Sequence, residues 1–158
     1  MVSEENMLVD ITINKKLNAN EAFDLLKQFD KSFVPPLHNC IDLVSYSQKL
    51  ADNAYFIFAI QKGNIIGFVA YYINRENRFL YVPFTAVLPE YRGQGVGYLM
   101  FEHLYEIKDN DLDSIQLEVD KNNQSARAFY ERSGFQIKEE RVNKYLLDKK
   151  YKGKLYNP

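Results

Sequence analysis

The chain has 158 residues, 46% hydrophobic and 26% charged, with a formal net charge of −1. That length suits a single domain over residues 1–158 with a sizeable core, and the near-neutral charge gives no electrostatic reason to bind nucleic acid or an acidic membrane. Cys40 is the only cysteine, which excludes an intrachain disulfide; the acidic start Met1-Val-Ser-Glu-Glu-Asn lacks the apolar segment of a signal peptide, and no membrane span is present, so a cytoplasmic protein is expected.

Residues 7–14 alternate Leu8, Val9, Ile11 and Ile13 with polar neighbours, which predicts a first strand. Asn18-x-x-Glu21 reads as a helix cap ahead of an apolar stripe of Ala22, Phe23, Leu25, Leu26 and Phe29. The consecutive prolines Pro35 and Pro36 force a loop over residues 33–39, and Leu43, Val44, Tyr46 and Leu50 predict a second helix ending near Asn53. Residues 54–60, 65–73 and 78–87 then form three strands in series, joined by short turns at Lys62-Gly63-Asn64 and Asn74-Arg75-Glu76-Asn77. Pro83 removes a ladder donor from the third of these, so a bulge or an exposed edge is expected there.

A central helix follows, carried by Val96, Leu99, Met100, His103, Leu104 and Ile107 at three- and four-residue steps. Residues 114–119 make a strand parallel to the one ending at Val87, because strand, long helix and strand form a crossover unit. A helix over residues 122–132, stopped by Gly134, precedes a closing pair of strands at 135–141 and 144–150. No repeat, linker or low-complexity segment interrupts the series, so the fold class is α/β (α+β) with a mixed sheet.

The stretch most informative about function is Val87-Leu-Pro-Glu-Tyr-Arg92-Gly93-Gln94-Gly95-Val96-Gly97-Tyr98, set between a strand and a helix. A tight turn there aims unpaired N–H groups and the positive end of the helix dipole at one point, which suits phosphate. A dinucleotide fingerprint needs its third glycine one place later, and a P-loop needs Gly-Lys-Ser/Thr where Gly97 is followed by Tyr98 and Leu99. Neither fits. Arg92-x-x-Gly95-x-Gly97 instead resembles the pyrophosphate loop of the GNAT superfamily of acyl-CoA-dependent N-acyltransferases. A second segment, in which Asn123, Ala126, Tyr130, Gly134 and Phe135 match N-x-x-A-x-x-x-Y-x-x-x-G-F, is similar to another motif of that family. The resemblance is good over residues 54–150 and loose over 1–53.

The resemblance implies a mixed central sheet of about six or seven strands, splayed in a V between strands four and five, with about four helices on its two faces. It further implies acetyl-CoA as co-substrate. Pantetheine would bond backbone at Ala86 and Val87, the pyrophosphate would sit on Arg92, Gly93, Gln94, Gly95, Val96, Gly97 and Tyr98, and Asn123 would touch the pantetheine arm. Acyl transfer to an amine needs a neutral nucleophile, a polarised thioester carbonyl and a proton for the departing thiolate. Tyr130 is the expected acid, since a phenol of pKa about 10 can protonate a thiolate, and family tyrosines here lie near the sulfur. Glu118 is the expected base, by similarity to members with glutamate in a Leu-Glu-Val strand end. Backbone N–H near Val87 is the simplest holder of the carbonyl oxygen. Cys40 has no evident base partner, and His38 and His103 share no ligand spacing, so neither a covalent acyl-enzyme nor a metal site is expected.

The expected reaction is direct attack of a primary amine on acetyl-CoA within a ternary complex. The acceptor is a small molecule or a peptide. The Pro-Pro-Leu-His loop suggests a small polar amine such as an amino sugar; a protein N-terminus or lysine is the alternative within enzymology, and a non-catalytic acyl-CoA-binding module the alternative outside it. Segments 32–46 and 139–145 would face the acceptor, and a monomer or a homodimer paired through a strand edge is compatible with the pattern.

Overall fold

The chain folds, in a computed structural model that describes residues 8–152, into seven strands and four α-helices. In chain order these are β1 (Asp10–Lys15), α1 (Ala19–Phe29), α2 (Leu43–Asn53), β2 (Tyr55–Gln61), β3 (Asn64–Asn74), β4 (Phe79–Val87), α3 (Val96–Tyr105), β5 (Ser114–Asp120), α4 (Gln124–Arg132), β6 (Gln136–Glu140) and β7 (Lys144–Lys150). The strand order is β1-β2-β3-β4-β5-β7-β6, a mixed sheet in which β5 runs parallel to β4 as expected and the other described pairings are antiparallel. The expected start of the first strand at Met7 lies outside the described residues. The chain divides into two compact units, one running through Tyr71 and including Phe84–Leu104, the other made of Tyr72–Pro83 and the residues from Tyr105 onward.

In the first unit α1 begins with the capping box read from the sequence. The Asn18 side chain accepts from the Glu21 N–H at 2.8 Å, and the Glu21 carboxylate accepts from the Asn18 N–H at 3.0 Å. Its apolar stripe buries Ala22, Leu25, Leu26 and Phe29, and the Phe29 ring meets Phe68 of β3 edge-on at 5.0 Å. Burial of each such large side chain contributes about 1.5–3 kcal/mol. Gly67, one residue before Phe68, faces the other way: a Cβ there would lie 3.1 Å from the Met100 Cε and 3.3 Å from the Val96 Cγ1, both on α3. Since adjacent strand residues point to opposite faces, α1 and α3 cover opposite faces of β3. The expected loop over residues 33–39 is flanked and partly ordered by two 3-10 turns, Asp30–Ser32 and Leu37–Asn39, and contains a cis Val34–Pro35 peptide.

In the second unit β5 pairs with β4 from Phe79↔Ser114 to Val82↔Leu117, and Pro83, which has no N–H to donate, follows the last of these pairs. On its other side β5 pairs along its whole length with β7, from Ser114↔Lys150 to Asp120↔Lys144. The sequence reading joined the last two strands but did not place β7 inside the sheet. The reason is compositional: β7 buries Leu146 and Leu147, whereas every residue of β6 is exposed, so the polar strand takes the edge. The central helix also ends at Tyr105, two residues short of Ile107, whose carbonyl instead accepts from the Tyr151 hydroxyl.

Candidate active site

The glycine loop lies wholly in the first unit, and its shape follows from the backbone. Leu88 donates its N–H to the Ile66 carbonyl at 2.9 Å, which holds the end of β4 against β3. One 3-10 turn, Pro89–Tyr91, leads into Gly93 and Gly95 at φ of +75° and +84°, a left-handed conformation that costs other residues about 1–2 kcal/mol. No atom lies within 4 Å of a Cβ built at either position, so these glycines are required by the backbone angle and not by crowding. Gly97 differs: it sits inside α3 without a positive φ. The sequence had grouped all three together; the structure separates two turn glycines from one helical glycine.

The first hydrogen bond of α3 runs from the Leu99 N–H to the Gly95 carbonyl at 2.9 Å. The N–H groups of Val96, Gly97 and Tyr98 therefore precede the helical ladder and carry its positive end. Gln94 is fastened back to the Glu90 carbonyl at 3.2 Å. Beside the loop lies a mainly apolar depression of 280 Å³, lined by Ile66, Tyr91, Gln94, Val96, Tyr98 and Leu99 among others.

Three of the expected binding residues occupy places the sequence did not foresee. Strand alternation, set by the Leu88 bond to β3, turns the Ala86 backbone toward β3 and leaves Val87 and Thr85 to present theirs to the opposite edge. Of the expected pair Ala86 and Val87, only Val87 therefore turns its backbone away from β3, as Thr85 does; which edge a residue faces depends on pairing, which no single strand reveals. Arg92, expected as a phosphate charge, donates Nε to the Val87 carbonyl at 3.1 Å and Nη2 to the Ser32 carbonyl at 2.6 Å. It straps the loop after α1 to the end of β4. Asn123, in the second unit, accepts from the Ala126 N–H at 3.1 Å and is the N-cap of α4.

The second unit also carries both expected proton-handling side chains. Glu118 emerges between the buried Leu117 and Val119 and is 27% exposed. Both of its oxygens are engaged: the Tyr81 hydroxyl donates to Oε1 at 3.1 Å, and the Arg141 guanidinium lies 3.2 Å from Oε2. Arg141 also reaches Glu139 at 3.4 Å; its hydrogen bond to Glu139 and the charge of Glu118 raise its already high pKa further. Tyr130 is half-buried on α4, its ring edge-on to Phe129 at 5.3 Å and to Phe135 at 5.5 Å. Among the described residues no group of three or more His, Cys, Asp or Glu side chains could hold a metal ion, and no helix is long and apolar enough to cross a membrane.

Residues 22–135 match the model of the acetyltransferase (GNAT) family, well over half of the chain. A probable N-acetyltransferase, san, of Drosophila melanogaster is 45% identical over 67 residues, 40% of this chain and 36% of that protein. N-alpha-acetyltransferase 50 of Danio rerio is 36% identical over 74 residues, 46% of this chain and 44% of that protein. The matched stretches thus span less than half the length of these two relatives. In solved structures, the PaiA N-acetyltransferase of Thermoplasma acidophilum in complex with coenzyme A superposes with a TM-score of 0.71 at 18% identity, over 91% of this chain and 99% of that one. Family model and fold agree, and the chain belongs to the acetyltransferase (GNAT) family.

Proposed function

We propose that residues 1–158 form a single acetyltransferase domain that moves the acetyl group of acetyl-CoA to a primary amine by direct attack in a ternary complex. The observation that carries this reading is the loop from Val87 to Tyr98, where two left-handed glycines deliver three unbonded helix N–H groups to one point. A diphosphate fits such a point, and the outward backbone of Val87 and Thr85 fits an amide-bearing arm added like a strand. Bound acetyl-CoA supplies an activated thioester. The residues of the chain orient it, polarise its carbonyl through backbone N–H near Val87, and give the departing sulfur a proton from Tyr130, whose hydroxyl is carried on a half-buried aromatic cluster.

Glu118 enters this reading in a changed role. One oxygen of its carboxylate accepts from the Tyr81 hydroxyl and the other faces the Arg141 guanidinium, and lone pairs remain on both for an acceptor ammonium. With Glu139 and Arg141 it makes a group of net charge −1, which draws an acceptor ammonium toward the strand end.

For the acceptor, we favour the α-amine of a protein or peptide over an amino sugar. Two of the matched relatives are named N-acetyltransferase and N-alpha-acetyltransferase. The loop after α1 presents Val34, 94% exposed, next to the ring contacts Phe33–Phe84 and Tyr46–Phe84, an apolar surface suited to a first side chain and not to a polyhydroxylated ring. The test is titration calorimetry with acetyl-CoA, NAD and ATP, then a thiol-release assay with peptides of different first residues, an amino sugar and a polyamine. Acetyl-CoA binding with peptide turnover that Tyr130→Phe abolishes supports the reading. Binding without turnover on any amine would leave a non-catalytic acyl-CoA-binding module, and absence of acetyl-CoA binding would overturn the reading of the loop.

A further inference from the structure

The loop after α1 holds a pair that nothing in the family motifs requires. Asp30 closes α1, and its carboxylate is only 12% exposed. One oxygen accepts the backbone N–H of His38 at 2.7 Å, and the other lies 2.5 Å from Nδ1 of the same residue. Burial raises the Asp30 carboxyl pKa, but the two hydrogen bonds from His38, aided by the charges of His38 and of Lys27 on α1, bring it below the ordinary value. An ionised carboxylate at that distance fixes the proton on Nδ1 and leaves Nε2 as the lone-pair nitrogen. The His38 side chain is 56% exposed, so the ring turns its free end outward while its inner nitrogen is held. The backbone bond alone would fasten the loop; the imidazole bond additionally sets the tautomer.

The position of this loop within the first unit is defined as well. Arg92 bridges Ser32 and Val87, and Phe33 packs edge-on against Phe84 at 6.0 Å, so the segment bearing His38 is strapped to the stretch of β4 that carries Val87. Resting on the N-acetyltransferase reading above, we propose that His38 Nε2, oriented by Asp30, takes the proton from the acceptor ammonium and is the base of the reaction in place of Glu118. The ammonium gives one proton to Nε2 and its freed lone pair forms the C–N bond as the C–S bond breaks. Tyr130 protonates the sulfur, and the second proton, shed by the nitrogen as the amide forms, returns to the Tyr130 oxygen. The imidazolium then releases its proton to solvent. The charged groups acting on Asp30, the partner of this base, are His38 itself and Lys27.

The proposal is tested on the full chain with His38→Gln and Asp30→Asn, measured against the best acceptor found above. His38→Gln is expected to lower kcat by about a hundredfold or more, with acetyl-CoA affinity unchanged and activity partly restored by added imidazole. The acid limb of the wild-type kcat/KM profile should coincide with the His38 titration followed by NMR in the same protein, and ¹⁵N shifts should show a bare Nε2 in the neutral ring, a preference lost in Asp30→Asn. Wild-type turnover that survives His38→Gln with its pH profile intact would reduce the pair to a loop fastening. A wild-type neutral ring protonated on Nε2 would overturn the proposal even if the variants fail to fold. Acetyl-CoA binding without turnover on any amine would overturn the enzymatic reading and this proposal with it, whereas turnover indifferent to His38 overturns this proposal alone.

Discussion

Replacing Arg92 by lysine separates two roles that replacement by alanine confounds. Lysine keeps the positive charge, so if Arg92 mainly neutralises a phosphate, Arg92→Lys should bind acetyl-CoA nearly as well as the parent. If Arg92 is a strap, lysine fails, because one ammonium cannot reproduce a guanidinium fork that reaches the Val87 carbonyl at 3.1 Å and the Ser32 carbonyl at 2.6 Å from different nitrogens. Hydrogen bonds from charged groups are worth about 1.5–3 kcal/mol each when sheltered, but Arg92 is exposed, and solvent reduces such contacts to about 0–1 kcal/mol. Two together give at most about 2 kcal/mol, a loss of up to roughly thirtyfold in affinity by the usual conversion. Calorimetry at low and high salt reads both parts: the strap predicts that Arg92→Lys and Arg92→Ala lose affinity equally, with little dependence on ionic strength. Full retention by lysine at low salt, falling as salt rises, would refute the strap and restore the phosphate charge read from the sequence.

Three further outcomes follow from the same geometry. Gly67→Ala should lower stability by about 1–3 kcal/mol in urea unfolding, because its Cβ would meet the Ala86 carbonyl and the Met100 Cε at 3.1 Å; an unchanged midpoint would show that α3 yields freely. Burial, and secondarily the charge of Asp109, raises the Tyr151 hydroxyl from 10.0 to about 12. Its stabilising contribution is therefore complete below pH 10 and is lost as pH rises toward 12, so the wild type should lose stability across that window more steeply than Tyr151→Phe, and parallel curves would refute the assignment. Glu118→Gln should raise KM for a cationic acceptor by roughly tenfold or less while leaving the acid limb of the rate profile in place; a vanished limb would return the base to Glu118.

The parts of the fold that were legible in the sequence are those fixed by short-range chemistry. Asn18 and Glu21 announced α1, because both halves of a capping box lie three residues apart. The turn glycines announced the tight turn between β4 and α3, because a left-handed φ has almost no other tenant. The crossover connection announced the parallel pairing of β4 and β5. The insertion of β7 beside β5 was hidden, since Leu117↔Leu147 joins residues thirty positions apart and periodicity says nothing about partners. Gly67 was hidden for the same reason: an ordinary glycine in a strand becomes necessary only when Val96 and Met100 arrive above it.

The same distinction divides the chemistry of the site. Binding a diphosphate requires donors that point together, and a chain supplies these from consecutive backbone N–H groups, so a twelve-residue stretch can carry the signature of a phosphate loop by itself. Proton transfer requires side chains whose protons are placed by their partners, and those partners are remote in sequence: Tyr81 and Arg141 for Glu118, Asp30 for His38. Read along the chain, Glu118 in its Leu-Glu-Val strand looks like the base and His38 beside two prolines looks like a loop residue. In the mechanism proposed above the order reverses. A single acceptor, Asp30, holds the inner nitrogen of His38 and leaves the outer one with its lone pair. Residue identity nominates a carboxylate, and the proposed mechanism instead takes hydrogen-bond direction as its guide, because a base acts through a lone pair that its partners leave exposed.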